Sequence, residues 1–170
     1  DWEYPVSGGL VDGRAEDKEN FTLLLQELRW QLDVVAAADG RAYLLTIAAP
    51  AGPSTYANIE IDKIHGYLDF INVMTYDFHG AWESVTNFNA PLYAASDDPA
   101  ASGATFNVHA AIQAYLARGV PADKVVMGAP FYGRGWDGAA GGNQGLFQSA
   151  SGEARDGTWE AGVFDYSDLK

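Results

Sequence analysis

Three short, largely apolar stretches constrain this chain more than anything else in it. They are residues 43–49, 70–76 and 124–131, and none alternates strictly between polar and apolar positions. Runs of this kind fit strands buried on both faces, as in a parallel sheet. The segments between them have helical spacing. Over 16–38, Phe21, Leu24, Leu25, Leu28, Leu32 and Val35 recur at steps of about three or four, predicting a helix with one buried face. Glu16 and Asp17 stand where the positive end of the helix dipole favours acids, and Asp39-Gly40 stops the pattern. A shorter helix is expected over 59–68, and another over 107–118, closed by Gly119. Helices alternating with buried-type strands indicate βαβ units and an α/β class.

Functional groups in such folds sit at the C-terminal ends of strands and in the loops that follow. That directs attention to residues 1–5, 48–53, 74–82 and 130–136. Residues 6–15 and 77–104 read as loops. The glycine-rich stretch 133–145 lacks the Gly-Lys-Ser/Thr of a phosphate cradle. After Trp136 the pattern turns to short β-like pieces at 145–149, 158–161 and 163–166, so a change of substructure is expected there.

Composition excludes several functions. With 48% hydrophobic and 19% charged residues, the 170-residue chain carries enough apolar content for a core. Its net charge of −13 disfavours nucleic acid and anionic membrane surfaces as partners. No apolar run approaches the roughly 20 residues of a membrane-spanning helix. Cysteine is absent, which removes disulfides, thiolate catalysis and cysteine metal sites. The chain begins with Asp1-Trp2 and ends inside an ordered-looking pattern, so it is expected to be an internal piece of a longer protein.

Each of three strand ends places carboxylates or arginine beside aromatic rings. The first is Asp1-Trp2-Glu3-Tyr4-Pro5. On a strand Asp1 and Glu3 project to the same side. Two carboxylates this close share a proton, and a carboxyl that stays protonated is what a general acid requires. The plainer reading is a solvated pair of acids at a terminus. The second is Met74-Thr75-Tyr76-Asp77-Phe78-His79-Gly80-Ala81-Trp82, where Tyr76 supplies a phenol donor and Asp77 an acceptor. Met74 taken alone suits core filling. Trp82, in a small polar loop, suits an exposed ring that stacks on a ligand. His79 reads as structural, and neither His65 nor His109 lies at ligand spacing from it, so no metal or other cofactor is expected. The third is Phe131-Tyr132-Gly133-Arg134-Gly135-Trp136, with Tyr132 and Arg134 sharing a face. The Arg134 guanidinium suits either hydroxyls of a ligand or an ion pair with one of the many acids.

Together these motifs resemble glycoside hydrolase family 18 chitinases. Asp1-Trp2-Glu3-Tyr4-Pro5 resembles the end of that family's DxxDxDxE motif, Met74-Thr75-Tyr76-Asp77 its strand-six motif, and Tyr132-Gly133-Arg134-Gly135-Trp136 its strand-seven motif. The resemblance covers essentially the whole chain. It implies a partial (β/α)8 TIM barrel over 1–135, roughly strands four to seven, and over 136–170 the beginning of a small α+β insertion. It further implies substrate-assisted hydrolysis of β-1,4 bonds between N-acetylglucosamine units of chitin and chitooligosaccharides. Glu3 would be the acid and base, with Asp1, Tyr76 and Asp77 as its catalytic companions. Trp2, Tyr4, Met74, Phe78, Trp82, Tyr132 and Arg134 would contact sugars. A secreted protein, monomeric when complete, is implied. A lectin-like relative and an endo-β-N-acetylglucosaminidase are the alternatives. The open edges of a part-barrel suggest that these residues alone are marginally stable and inactive.

Overall fold

The computed structural model describes residues 2–10 and 12–170. The chain divides into two compact units. One comprises the residues up to Met74 together with Ala111–Gly128, and the other Thr75–Ala110 with Ala129–Lys170.

The first unit contains a helix α1 (Asp17–Asp39) and a sheet of β1 (Thr46–Pro50), β2 (Phe70–Met74) and β3 (Val125–Met127). The strands are parallel, in the order β1-β2-β3, with Ile47 opposite Ile71 and Val73 opposite Met127. The expected parallel sheet is therefore present. Its strands are shorter than the apolar runs, for polar reasons. The Leu45 N–H donates to Asp69 Oδ2 at 2.7 Å and the Tyr43 carbonyl accepts from Arg29 at 3.2 Å, so residues 43–45 lie outside the ladder. At the other end Gly128 N–H reaches the Val73 carbonyl at 2.9 Å, and Pro130, which follows two residues on, has no N–H to continue.

Burial departs from expectation in two places. On β3, Val126 and Met127 are 42% and 52% exposed, so this strand is not buried on both faces. On α1, Phe21 and Leu25 are buried, but Leu24, Leu28 and Val35 are 42%, 39% and 47% exposed. The helical period is present, but among the described residues its apolar stripe is covered chiefly at Phe21 and Leu25. The ends of α1 follow capping chemistry. The Arg14 N–H donates to the Asp17 carboxylate at 2.8 Å, and that bond first of all holds the Asp17 pKa below its usual value. Gly40, at φ 67°, closes the helix in the left-handed conformation.

Of the helix expected over 59–68 only one turn, α3 (Ile61–Ile64), is present, and a separate turn, α2 (Pro53–Tyr56), precedes that span. Glu60, just before α3, is non-helical at φ −90°, ψ 70°, its carboxylate taken by Thr22 and Lys63. The apolar positions still point inward, with Ile59, Ile61, Ile64 and Leu68 all buried. Tyr115, on α4 (Val108–Leu116), is wholly buried and donates to the Pro50 carbonyl at 2.7 Å, tying the helix to the end of β1.

The second unit has little regular structure. Its strands pair in twos and antiparallel, β4 (Tyr132–Arg134) with β7 (Val163–Asp165) and β5 (Trp136–Asp137) with β6 (Gly152–Glu153). A last turn, α5 (Tyr166–Leu169), ends the chain. Of the expected β-like pieces, 163–166 contains β7, whereas 145–149 and 158–161 contribute only single bridges at Ser149 and Glu160.

Candidate functional site

The candidate residues fall in both units. In the first, Trp2, Glu3 and Tyr4 are half-buried, and the Trp2 ring meets Phe21 edge-on with centroids 5.7 Å apart. Glu3 lines a cleft of about 320 Å³ together with Trp2, Thr46, Ala48 and Asn72. Leu24, Leu25 and Leu28 of α1 form its apolar wall. Asn72 was not singled out by sequence reasoning. It stands on the same face of β2 as Met74, and its amide donates to the Ile47 carbonyl at 3.2 Å. A lone polar residue inside an apolar run was the available signal. Asp1 lies outside the described residues, so the expected Asp1–Glu3 pair has no described geometry.

In the second unit the residues interlock. Asp77 has a left-handed backbone, φ 56°, a conformation that Asp tolerates better than most side chains. The turn is held by Asn89, whose Oδ1 accepts from Asp77 N–H at 2.8 Å and whose carbonyl accepts from Phe78 N–H at 3.0 Å. Asn89 Nδ2 in turn donates to the Tyr132 carbonyl at 3.2 Å, so one amide joins two of the sequence motifs. Nothing in the loop composition marked Asn89, because its partners are distant in sequence.

Arg134 then closes the arrangement. Its Nε donates to Asp77 Oδ1 at 2.7 Å, and its guanidinium lies 4.8 Å from the Trp82 ring centre and 5.8 Å from that of Tyr132. The ion-pair reading of Arg134 is the one observed, and the partner is itself a candidate residue. Burial works against the arginine charge, but the Asp77 carboxylate outweighs it and raises the Arg134 pKa. Burial first, and then Asp77, also lift the Tyr132 phenol well above its ordinary range, keeping it a neutral donor. Tyr76 meets Tyr132 edge-on at 6.3 Å.

Trp82 is 60% exposed, as its surroundings suggested. It packs over Gly80, where a Cβ would collide with the ring. The turn that presents it is closed by the Glu83 N–H on the Gly80 carbonyl and by His79 Nδ1, 2.8 Å from Glu83 Oε2. His79 is fully buried, in agreement with a structural role. Phe78, expected at the sugar, is 3% exposed and packs edge-on against Phe106 at 6.2 Å. Its surface goes to core packing rather than to a ligand. His65 caps α3 and His109 stacks near Tyr93 at 5.4 Å; among the described residues no acid, histidine or cysteine cluster has metal-ligating geometry.

A sequence model described as "Glycosyl hydrolases family 18" matches residues 1–170. The chain is 54% identical over 179 residues to "Chitinase A1" of Niallia circulans, a match covering 100% of this chain and 25% of that protein. It is 40% identical to "Chitinase 1" of Aphanocladium album, over 99% of this chain and 37% of that one. Among solved structures, a chitinase from Bacillus thuringiensis superposes with a TM-score of 0.89 at 45% identity, over 99% of this chain and 29% of that one. The chain therefore spans between about a quarter and two fifths of the length of these relatives.

Proposed function

The chain belongs to glycosyl hydrolases family 18, and from that premise we propose that it carries the acid/base carboxylate and much of the sugar-holding surface of a chitin-hydrolysing enzyme. The observation that carries this reading is the Asp77–Arg134 ion pair at 2.7 Å, which joins two of the family's motifs around Tyr132 and Trp82. Residues 1–135 are read as roughly strands four to seven of a (β/α)8 barrel and 136–170 as the beginning of an α+β insertion.

In this reading the substrate's own 2-acetamido oxygen attacks the anomeric carbon as the glycosidic bond breaks. Glu3 gives its proton to the leaving oxygen, and an oxazolinium ion forms. Glu3 then takes a proton from water, which attacks the same carbon and restores the acetamido group, with retention of configuration. Asp1 holds the acetamido N–H and orients its oxygen. Tyr76 donates to that oxygen, with Asp77 beside it. Met74, Trp2 and Tyr4 provide packing surface, and Tyr132, Arg134 and Trp82 hold neighbouring sugars. Chitin is an insoluble polymer, which supports action outside the cell.

The test is release of a fluorescent aglycone from its chitobioside by the full-length gene product. Turnover upholds the enzyme reading. Tight binding of chitooligosaccharides with no turnover would overturn it in favour of a lectin-like relative.

A further inference from the structure

Within the second unit a groove of about 510 Å³ runs beside Trp82. Its lining is mostly small: Ala81, Gly152, Ala161 and Gly162 contribute no functional side-chain group. Three side chains remain to interact with an occupant, those of Trp82, Arg134 and Glu153. A concave site with few polar groups takes its selectivity from those groups.

The two charges in the groove are not equivalent. Arg134 is already neutralised by Asp77 at 2.7 Å. Glu153, in β6, is exposed and has no hydrogen bond or ion pair to its carboxylate among the described residues. Arg155, two residues on, is taken by Asp137 at 3.0 Å. The groove therefore offers an aromatic ring and one uncompensated negative charge. The net charge of −13 over the chain adds to the potential that a cation would meet.

We propose that Glu153 is a specificity-determining residue that makes this groove favour an N-deacetylated, cationic glucosamine unit over an N-acetylated one. The ammonium of such a unit pairs with the Glu153 carboxylate while the sugar ring lies against Trp82. The Trp82 ring already carries the Arg134 guanidinium at 4.8 Å, so the discrimination rests on the Glu153 carboxylate. A neutral acetamido group gains no such ion pair. The inference rests on the proposed chitin-hydrolysing role and extends it to partly deacetylated chains.

The experiment compares the full-length protein with Glu153→Gln and Glu153→Asp, in mildly acidic buffer at low salt. Substrates are a fully acetylated chitohexaose and a partially deacetylated hexamer mixture. An exposed ion pair predicts that Glu153→Gln lowers kcat/KM on the deacetylated mixture about twofold to fivefold, with chitohexaose unchanged. Glu153→Asp should recover part of the loss, and high salt should erase the difference between variants. Equal losses on both substrates, or no loss on either, would overturn the proposal. Calorimetric binding of the same oligosaccharides separates this inference from the proposed function. A deacetylated-over-acetylated preference that disappears in Glu153→Gln supports the groove even without turnover. Turnover of chitohexaose with no such preference defeats the groove and leaves the hydrolytic reading standing.

Discussion

The two compact units hold their candidate residues by different means. In the first, Asn72 and Met74 are carried on β2, whose register against β1 and β3 is set by a backbone ladder. In the second, Tyr132 stands on the short β4–β7 ladder, but Asp77 and Trp82 are held mainly by side chains: Asn89 fixes the Asp77 turn, Arg134 bonds Asp77, and Glu83 closes on His79. Thr86 adds to this, its hydroxyl donating to the Gly145 carbonyl at 2.5 Å and accepting from Gln148 N–H at 3.0 Å. A ladder is available to any sequence of suitable apolar pattern. A side-chain pin is specific to one residue and is lost with it.

The sharpest way to separate the units is by what they contribute to turnover. On the proposed mechanism Glu3→Gln, in the full-length protein, is expected to lower kcat by about 100-fold or more, because both proton transfers would pass through that carboxyl. Oligosaccharide binding should be retained, which calorimetry would check. A variant with near-normal kcat would remove Glu3 from the chemistry.

Stability comes next. Leu25 is 3% exposed, so Leu25→Ala should cost about 2–5 kcal/mol in urea unfolding. Leu24, one position away and 42% exposed, should tolerate alanine within about 0.5 kcal/mol. Similar losses at both would mean that the whole apolar stripe of α1 is covered in the full-length protein.

For the pinned unit, Asn89→Ala removes the partner of the exposed Asp77 N–H and of the part-buried Tyr132 carbonyl, at a cost of about 0.5–1.5 kcal/mol. It should also lower kcat/KM, since the turn carrying Asp77 is released. Asn89→Asp keeps the acceptor for Asp77 N–H and should lose less. If the two variants behave alike, the Asp77 bond is not the one that matters.

The smallest effect concerns pH. The Asp17 pKa is depressed in the folded state, chiefly by the Arg14 N–H. Its contribution is therefore present above the ordinary aspartate pKa and is lost as pH falls through the lowered value. Asp17→Asn should flatten the acid limb of a pH–stability curve without changing activity near neutrality. An unaltered acid limb would count against that bond.

Much of the first unit was legible in the sequence, because burial imposes a period. The apolar runs identified the strands, and Asp39-Gly40 identified the end of α1. Strand ends were less legible, since they were decided by Asp69 and Arg29, whose partners lie across the fold. The second unit was legible only through its short motifs. Their residues were recognisable by type, whereas Asn89 and Glu153 were not, because Asn89 is defined by bonds to residues distant along the chain and Glu153 by its place beside Trp82.

The sequence by itself determined the alternation of helix and strand, the family, and the residue types available for chemistry. These depend on local pattern and on motifs that can be read in order. The tertiary structure decided that Arg134 pairs with Asp77, that Phe78 is core while Trp82 is exposed, and that Glu153 lines the groove beside Trp82. Those outcomes depend on which distant segments pack together, and no local period encodes that.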